Sequence, residues 1–92
     1  MAKKQTIKMP LEYVKKTLTY LDLAHIEIDL SDGNGVQIRL TKDGYDHVNV
    51  NAYNSGTVVA QPYGDPSADL VSQILALRAA RLRRKGEIPQ NL

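Results

Sequence analysis

Asn49 and Asn51 stand two residues apart in the run Val48-Asn49-Val50-Asn51-Ala52-Tyr53, each flanked by apolar residues. A side-chain amide offers a donor and an acceptor together, the pattern that matches a nucleic-acid base edge or a polar main chain. Asn is disfavoured in strands, so its repetition in an alternating segment needs an explanation. Period-two alternation sends both amides to one side. The same alternation in neighbouring segments adds Glu27 and Asp29, then Gln37, Arg39 and Thr41, then Tyr53, and finally Thr57, Val59 and Gln61. On such a face Arg39 supplies a cation for phosphate and Tyr53 a ring that stacks on a base. A second basic set, Arg78, Arg81, Arg83 and Arg84, suits auxiliary phosphate contacts.

Other chemistries lack their parts. His25 and His47 are far apart and the chain has no Cys, so no zinc-ligand spacing is present. Ser31, Ser55, Ser67 and Ser72 belong to no Gly-x-Ser-x-Gly elbow. Asp32-Gly33-Asn34-Gly35 begins like a calcium loop but lacks the later bidentate Glu, and no helix follows its glycines as a dinucleotide fingerprint requires. Glu27 and Asp29 form a same-face carboxylate pair with no pocket to move their pKa values apart. The sequence therefore points to a non-enzymatic domain with no cofactor and no metal.

The elements that carry these residues follow from the apolar spacing. Leu11, Val14, Leu18 and Leu21 recur at three and four residues after Pro10, which predicts a helix over Pro10–Leu23. The period then becomes two. Ile26, Ile28 and Leu30, then Val36, Ile38 and Leu40, then Val48, Val50 and Ala52, are separated by the turn sequences Asp32–Gly35 and Asp43-Gly44. Asn54-Ser55-Gly56 turns the chain into a fourth strand, Thr57–Gln61, which stops at Pro62. Short connections of this kind predict an antiparallel meander in which all these apolar residues face inward. Asp65 or Ser67, with Pro66 and Asp69, opens a last helix whose stripe is Leu70, Val71, Ile74, Leu77 and Leu82, and Gly86 ends it. Tyr13 and Tyr20 flank the first helical stripe as core-edge packing.

The expected fold is α+β: an N-terminal helix, a four-stranded antiparallel meander and a C-terminal helix, with both helices on one sheet face. Residues 1–9 read as a basic arm, 10–86 as the one domain and 87–92 as a short frayed tail, with no linker or repeat. Ninety-two residues suit a single small domain. A hydrophobic content of 42% argues against a disordered chain. No apolar run reaches the length of a membrane span or forms a secretory leader, so a cytoplasmic protein with no membrane partner is expected. The net charge of +2 conceals a segregation: residues 1–21 carry +4, residues 22–69 carry −6 and residues 70–92 carry +4.

The run Asn51-Ala52-Tyr53-Asn54-Ser55-Gly56-Thr57-Val58-Val59-Ala60-Gln61 resembles the Ala-Tyr-x-Ser-Gly-Lys-Val-x-x-Gln run in the N-terminal domain of bacterial ribonuclease HIII. Gly35-Val36-Gln37-Ile38 sits where that domain has its preceding strand. Thr57 stands where the family has Lys. That domain is similar in fold to one repeat of the TATA-box-binding protein, in which a curved antiparallel sheet holds nucleic acid on its concave face through Asn, Gln, Thr and Val. The resemblance implies a binding role for Asn49, Asn51, Thr57, Val59 and Gln61. The function expected from the sequence is binding of nucleic acid (DNA, RNA or hybrid) by the open polar face of the sheet. The alternative is a protein-interaction module or small regulator or inhibitor subunit that uses the acidic sheet end or the basic helix. Self-association through an edge strand, giving a homodimer, fits either.

Overall fold

A computed structural model of the chain describes residues 7–90. Its elements are β1 (Ile7–Lys8), α1 (Leu11–Tyr20), β2 (His25–Asp29), β3 (Gly35–Leu40), β4 (Asn49–Tyr53), β5 (Thr57–Gln61) and α2 (Pro66–Arg84). The strands make one sheet in the order β1-β5-β4-β3-β2, antiparallel at every junction. The α+β class, the antiparallel sheet and the two helices agree with the sequence reading, but the sheet has five strands rather than four and the chain enters it through a strand. Ile7 and Lys8 pair with Val58 and Thr57, and Met9 N–H donates to Gly56 O at 2.9 Å. Two residues are too few to show a period. This strand lies in the segment read as a basic arm; the rest of that arm, residues 1–6, lies outside the described residues.

Helix α1 starts on Pro10, which has the extended backbone usual of a cap but no side-chain acceptor, so the N-terminus has no side-chain cap. It ends at Tyr20, three residues before the predicted end. Asp22 takes the left-handed conformation at φ 59°, its N–H donates to Thr19 O, and Leu23 N–H reaches back to Leu18 O at 2.9 Å. This is a Schellman closure, in which the residue after the left-handed one returns to the core; Leu23 is buried there. Helix α2 begins on Asp65, whose Oδ1 accepts from the Ser67 and Ala68 N–H groups at 2.9 and 3.1 Å, with Pro66 in the first turn. Its buried face is Ala68, Val71, Ser72, Leu75, Ala79 and Leu82. That face is rotated from the predicted stripe: small residues let the helix lie close to the sheet, while Leu70 and Leu77 point to solvent. Beyond Gly86, Ile88 is buried in the core and Gln90 Nε2 donates to Arg83 O, so the first residues of the expected tail pack onto the domain.

Both helices meet one face of the sheet. Helix α2 packs on β5 and β1, and α1 packs on β4 and on α2. Val14, Leu18, Val71, Leu75 and Leu82 close over Ile7, Ile38, Leu40, Val50, Val58 and Ala60 to form the core.

The largest departure is the orientation of β2. Its partners are Ile26↔Arg39, Glu27↔Ile38 and Ile28↔Gln37. Cross-strand partners share a face, so Glu27 lies on the helix side with Ile38, and Ile26 and Ile28 lie on the open side with Arg39 and Gln37. The hairpin fixes this outcome. Leu30 N–H donates to Gly35 O and Gly33 N–H to Leu30 O, which makes Ser31–Asn34 a four-residue connection and sets the pairing parity. Ile26 is 51% and Ile28 37% exposed, against the expectation that both are core. Glu27 takes a surface position near α1, where Lys15 Nζ is 3.1 Å from its Oε2.

Candidate nucleic-acid interface

The strand residues of the open face form rows across the sheet. One row is Ile26, Arg39, Asn49 and Gln61; the next is Ile28, Gln37, Asn51 and Val59. Tyr53 lies opposite Gly35 at the far end, and Thr57 pairs with Lys8. The seven sheet residues expected to contact a ligand, Arg39, Asn49, Asn51, Tyr53, Thr57, Val59 and Gln61, are therefore together on it.

A polar chain ties its centre. Arg39 Nε donates to Gln37 Oε1 at 2.9 Å, Gln37 Nε2 donates to Asn51 Oδ1 at 3.3 Å, and Asn51 Nδ2 donates to the Tyr53 hydroxyl at 3.5 Å. Asn51 is only 7% exposed and Val59 only 4%, so these two form the floor of the face rather than its accessible surface. A buried amide needs partners, and Gln37 and Tyr53 provide them. This explains a strand Asn against its propensity. Asn49, Tyr53, Thr57 and Gln61 remain half-exposed and Arg39 exposed around that floor.

Two features escape the sequence. Glu27 and Asp29, expected on this face, belong to the opposite one, so among the described residues no strand residue of the open face is acidic. Lys8 joins it from β1, with Nζ 2.6 Å from Thr57 Oγ1. No sequence period marks it, because β1 has only two residues.

The basic residues of α2 are elsewhere. The helix lies across the core from the open face, so Arg78, Arg81, Arg83 and Arg84 do not join the sheet residues. Arg83 Nη2 donates to Lys8 O at 2.6 Å and holds β1 to the end of α2. Arg78 and Arg81 border a groove of about 720 Å³ between the helices, with Tyr13, Lys16, Tyr20 and Leu77 among its other walls. Tyr13 packs on the core edge as expected, with Lys16 Nζ 5.3 Å from its ring centre. Tyr20, expected to pack likewise, is 88% exposed, and Leu77 is 72% exposed.

The histidines sit in separate local settings. His25 Nδ1 donates to Leu23 O, and His47 Nε2 lies 3.0 Å from Asp65 Oδ1. The Asp65 carboxyl is held below the usual carboxylate range, first by that His47 contact and then by the Ala68 N–H. Among the described residues no cluster of three or more His, Asp and Glu side chains gathers to hold a metal ion. No described helix is long and apolar enough to cross a membrane. The chain matches no known family model, curated protein or solved structure.

Proposed function

We propose that the domain is a non-enzymatic nucleic-acid-binding module and that the ligand lies on the open sheet face. The observation that carries this reading is the composition of that face among the described residues: Lys8 and Arg39 as cations, Gln37, Asn49, Asn51 and Gln61 as amides, and no strand carboxylate. Phosphates are drawn to the two cations, and the accessible amides of Asn49 and Gln61 offer paired donors and acceptors to bases or sugars. Tyr53 is the stacking ring. The resemblance of Asn51–Gln61 to the ribonuclease HIII N-terminal domain, and through it to a repeat of the TATA-box-binding protein, supports the same reading. Where that family carries Lys after Ser-Gly, this chain has Thr57, and the ammonium of Lys8 is within hydrogen-bond distance of it. Arg78, Arg81, Arg83 and Arg84 drop out as contacts for a ligand on this face.

Titration against duplex DNA, RNA, hybrid and single strands at several salt concentrations tests the proposal. Binding should weaken with salt, and Lys8→Gln with Arg39→Gln should flatten the slope by about 0.9 per lost contact on duplex DNA. Arg78→Gln with Arg81→Gln should leave the slope unchanged. The reverse pattern, or no binding to any of the four ligands, refutes it. One observation favours a second reading, a protein-interaction module: Tyr20 and Leu77 are largely exposed beside Lys16, Arg78 and Arg81 in the interhelical groove. Under that reading Leu77→Asp abolishes partner binding while the sheet variants do not.

A further inference from the structure

Strand β2 ends the sheet, and among the described residues it has no strand neighbour on its outer side. The direction of its main-chain groups follows from the bonds flanking its pairing with β3. Thr41 N–H donates to Ala24 O at 2.7 Å, and Leu30 N–H donates to Gly35 O at 2.9 Å. Hydrogen-bonded positions alternate along an antiparallel pair, so Ala24, Ile26, Ile28 and Leu30 turn their N–H and C=O groups toward β3. His25, Glu27 and Asp29 turn theirs outward. Edges are commonly blunted by Pro, Lys or a bulge. β2 has no Pro, Lys or bulge, although Glu27 and Asp29 put charge on it, and its register with β3 is unbroken from His25↔Leu40 to Asp29↔Val36.

Its side chains have a matching symmetry. His25-Ile26-Glu27-Ile28-Asp29 is close to a palindrome centred on Glu27. Set antiparallel to itself about a two-fold axis at Glu27, the strand puts His25 opposite Asp29, Ile26 opposite Ile28 and Glu27 opposite Glu27. The three outward-facing residues are then the hydrogen-bonded positions, each donating and accepting once, for about six bonds. Ile26 and Ile28 occupy the non-hydrogen-bonded positions, where the strands approach to about 4.5 Å between Cα atoms and side chains pack best. That arrangement covers the two isoleucines the monomer leaves exposed. The one unfavourable pair is Glu27 with itself, and each Glu27 already has Lys15 Nζ at 3.1 Å.

We propose that two copies of this chain pair through β2 in this register, joining their sheets into one ten-stranded sheet with both open faces on the same side. The inference does not depend on what the open face binds. A five-residue edge lies at the small end of specific interfaces, below about 1,200 Å², so the dimer is expected to form in the micromolar range.

The chain has no Cys, so one introduced thiol reports one position. In the proposed register the two Glu27 Cα atoms are about 5.5 Å apart, within disulfide range. The two Asp29 Cα atoms are about 14 Å apart, outside it. Under mild oxidation at micromolar concentration, Glu27→Cys should form a covalent dimer at least tenfold faster than Asp29→Cys. Sedimentation equilibrium of the unmodified full chain should show a dimer. Ile26→Lys should raise its dissociation constant at least tenfold while leaving the far-ultraviolet circular dichroism unchanged. A chain that stays monomeric into the millimolar range overturns the proposal. So does cross-linking of Asp29→Cys as fast as Glu27→Cys, or an Ile26→Lys variant that dimerises like the parent.

Discussion

Gly35→Ala separates close packing from backbone conformation in this sheet. Gly35 opens β3 on the open face, opposite Tyr53. A Cβ placed on it would stand 2.3 Å from Ala52 O and 2.8 Å from Tyr53 Cα. Both obstacles are main chain, so no side-chain rotation relieves them. Restoring van der Waals separation means parting β3 from β4 by about 1 Å, and hydrogen bonds of about 2.9 Å do not survive that stretch. Overpacking of this kind costs about 1–3 kcal/mol, and each ladder bond lost adds about 1 kcal/mol. The stiffer unfolded chain returns about 0.4–1 kcal/mol. The net loss is about 2–4 kcal/mol, a large part of the stability of a small domain.

Gly33 supplies the control. It lies in the adjoining turn at φ +74°, and a methyl group added there would have nothing within 4 Å. Its replacement by Ala meets only the left-handed penalty of about 1–2 kcal/mol. Urea melts of the two variants should therefore rank Gly35→Ala as the more damaging, although Gly33 is the residue with the unusual dihedral angle. A Gly35→Ala variant within about 0.5 kcal/mol of the parent would refute the close approach of β3 and β4, and with it the position of Tyr53 on the open face.

Two further outcomes are expected. Asn51→Thr should cost about 1–2 kcal/mol in denaturant melts, because Gln37 and Tyr53 lose a buried partner, whereas Asn49→Thr on the half-exposed row should stay within about 0.5 kcal/mol. Asp65→Ala should lower the melting temperature at neutral pH through loss of the α2 cap, and Asp65→Asn should restore most of it. The lowered Asp65 pKa stabilises the folded state above the ordinary carboxylate value of about 3.9, and that contribution is lost as pH falls through the folded value. The charge-dependent part of the difference between parent and variant should therefore shrink below about pH 4, as melts across pH would show.

The legible parts of the fold are those in which one signal acts alone. Asp65, Pro66 and Asp69 mark the start of α2, and β3, β4 and β5 alternate cleanly, so the open-face set from Arg39 to Gln61 can be read from parity. β2 defeats that reading because two signals conflict there. Hydrophobicity assigns Ile26 and Ile28 inward, but the four-residue connection Ser31–Asn34 assigns them outward, and hydrogen-bond register is the stronger constraint. The hydrophobic loss is limited at this edge, where Ile26 and Ile28 are only partly exposed. Lys8 and the buried state of Asn51 are illegible for a different reason. A two-residue strand has no period, and the partners of an amide lie on other strands.

The same conflict changes the electrostatics of the candidate site. With β2 in the expected orientation, Glu27 and Asp29 would stand beside Arg39 and Gln37 and repel a phosphate backbone. In the observed register Glu27 turns to Lys15 across the sheet edge, and its place near Arg39 and Gln37 is taken by uncharged isoleucines. The reversal that exposes two apolar side chains also removes the acids from the amide-lined face. If binding of an anionic ligand is what that face is for, moving the charge back should weaken it. Ile28→Glu places a carboxylate opposite Gln37 without entering the core, since Ile28 is already partly exposed. The variant should fold, because a surface charge at an edge position costs little, and should bind every nucleic acid more weakly than the parent. Unchanged binding by a folded Ile28→Glu variant would place the ligand somewhere other than the open face.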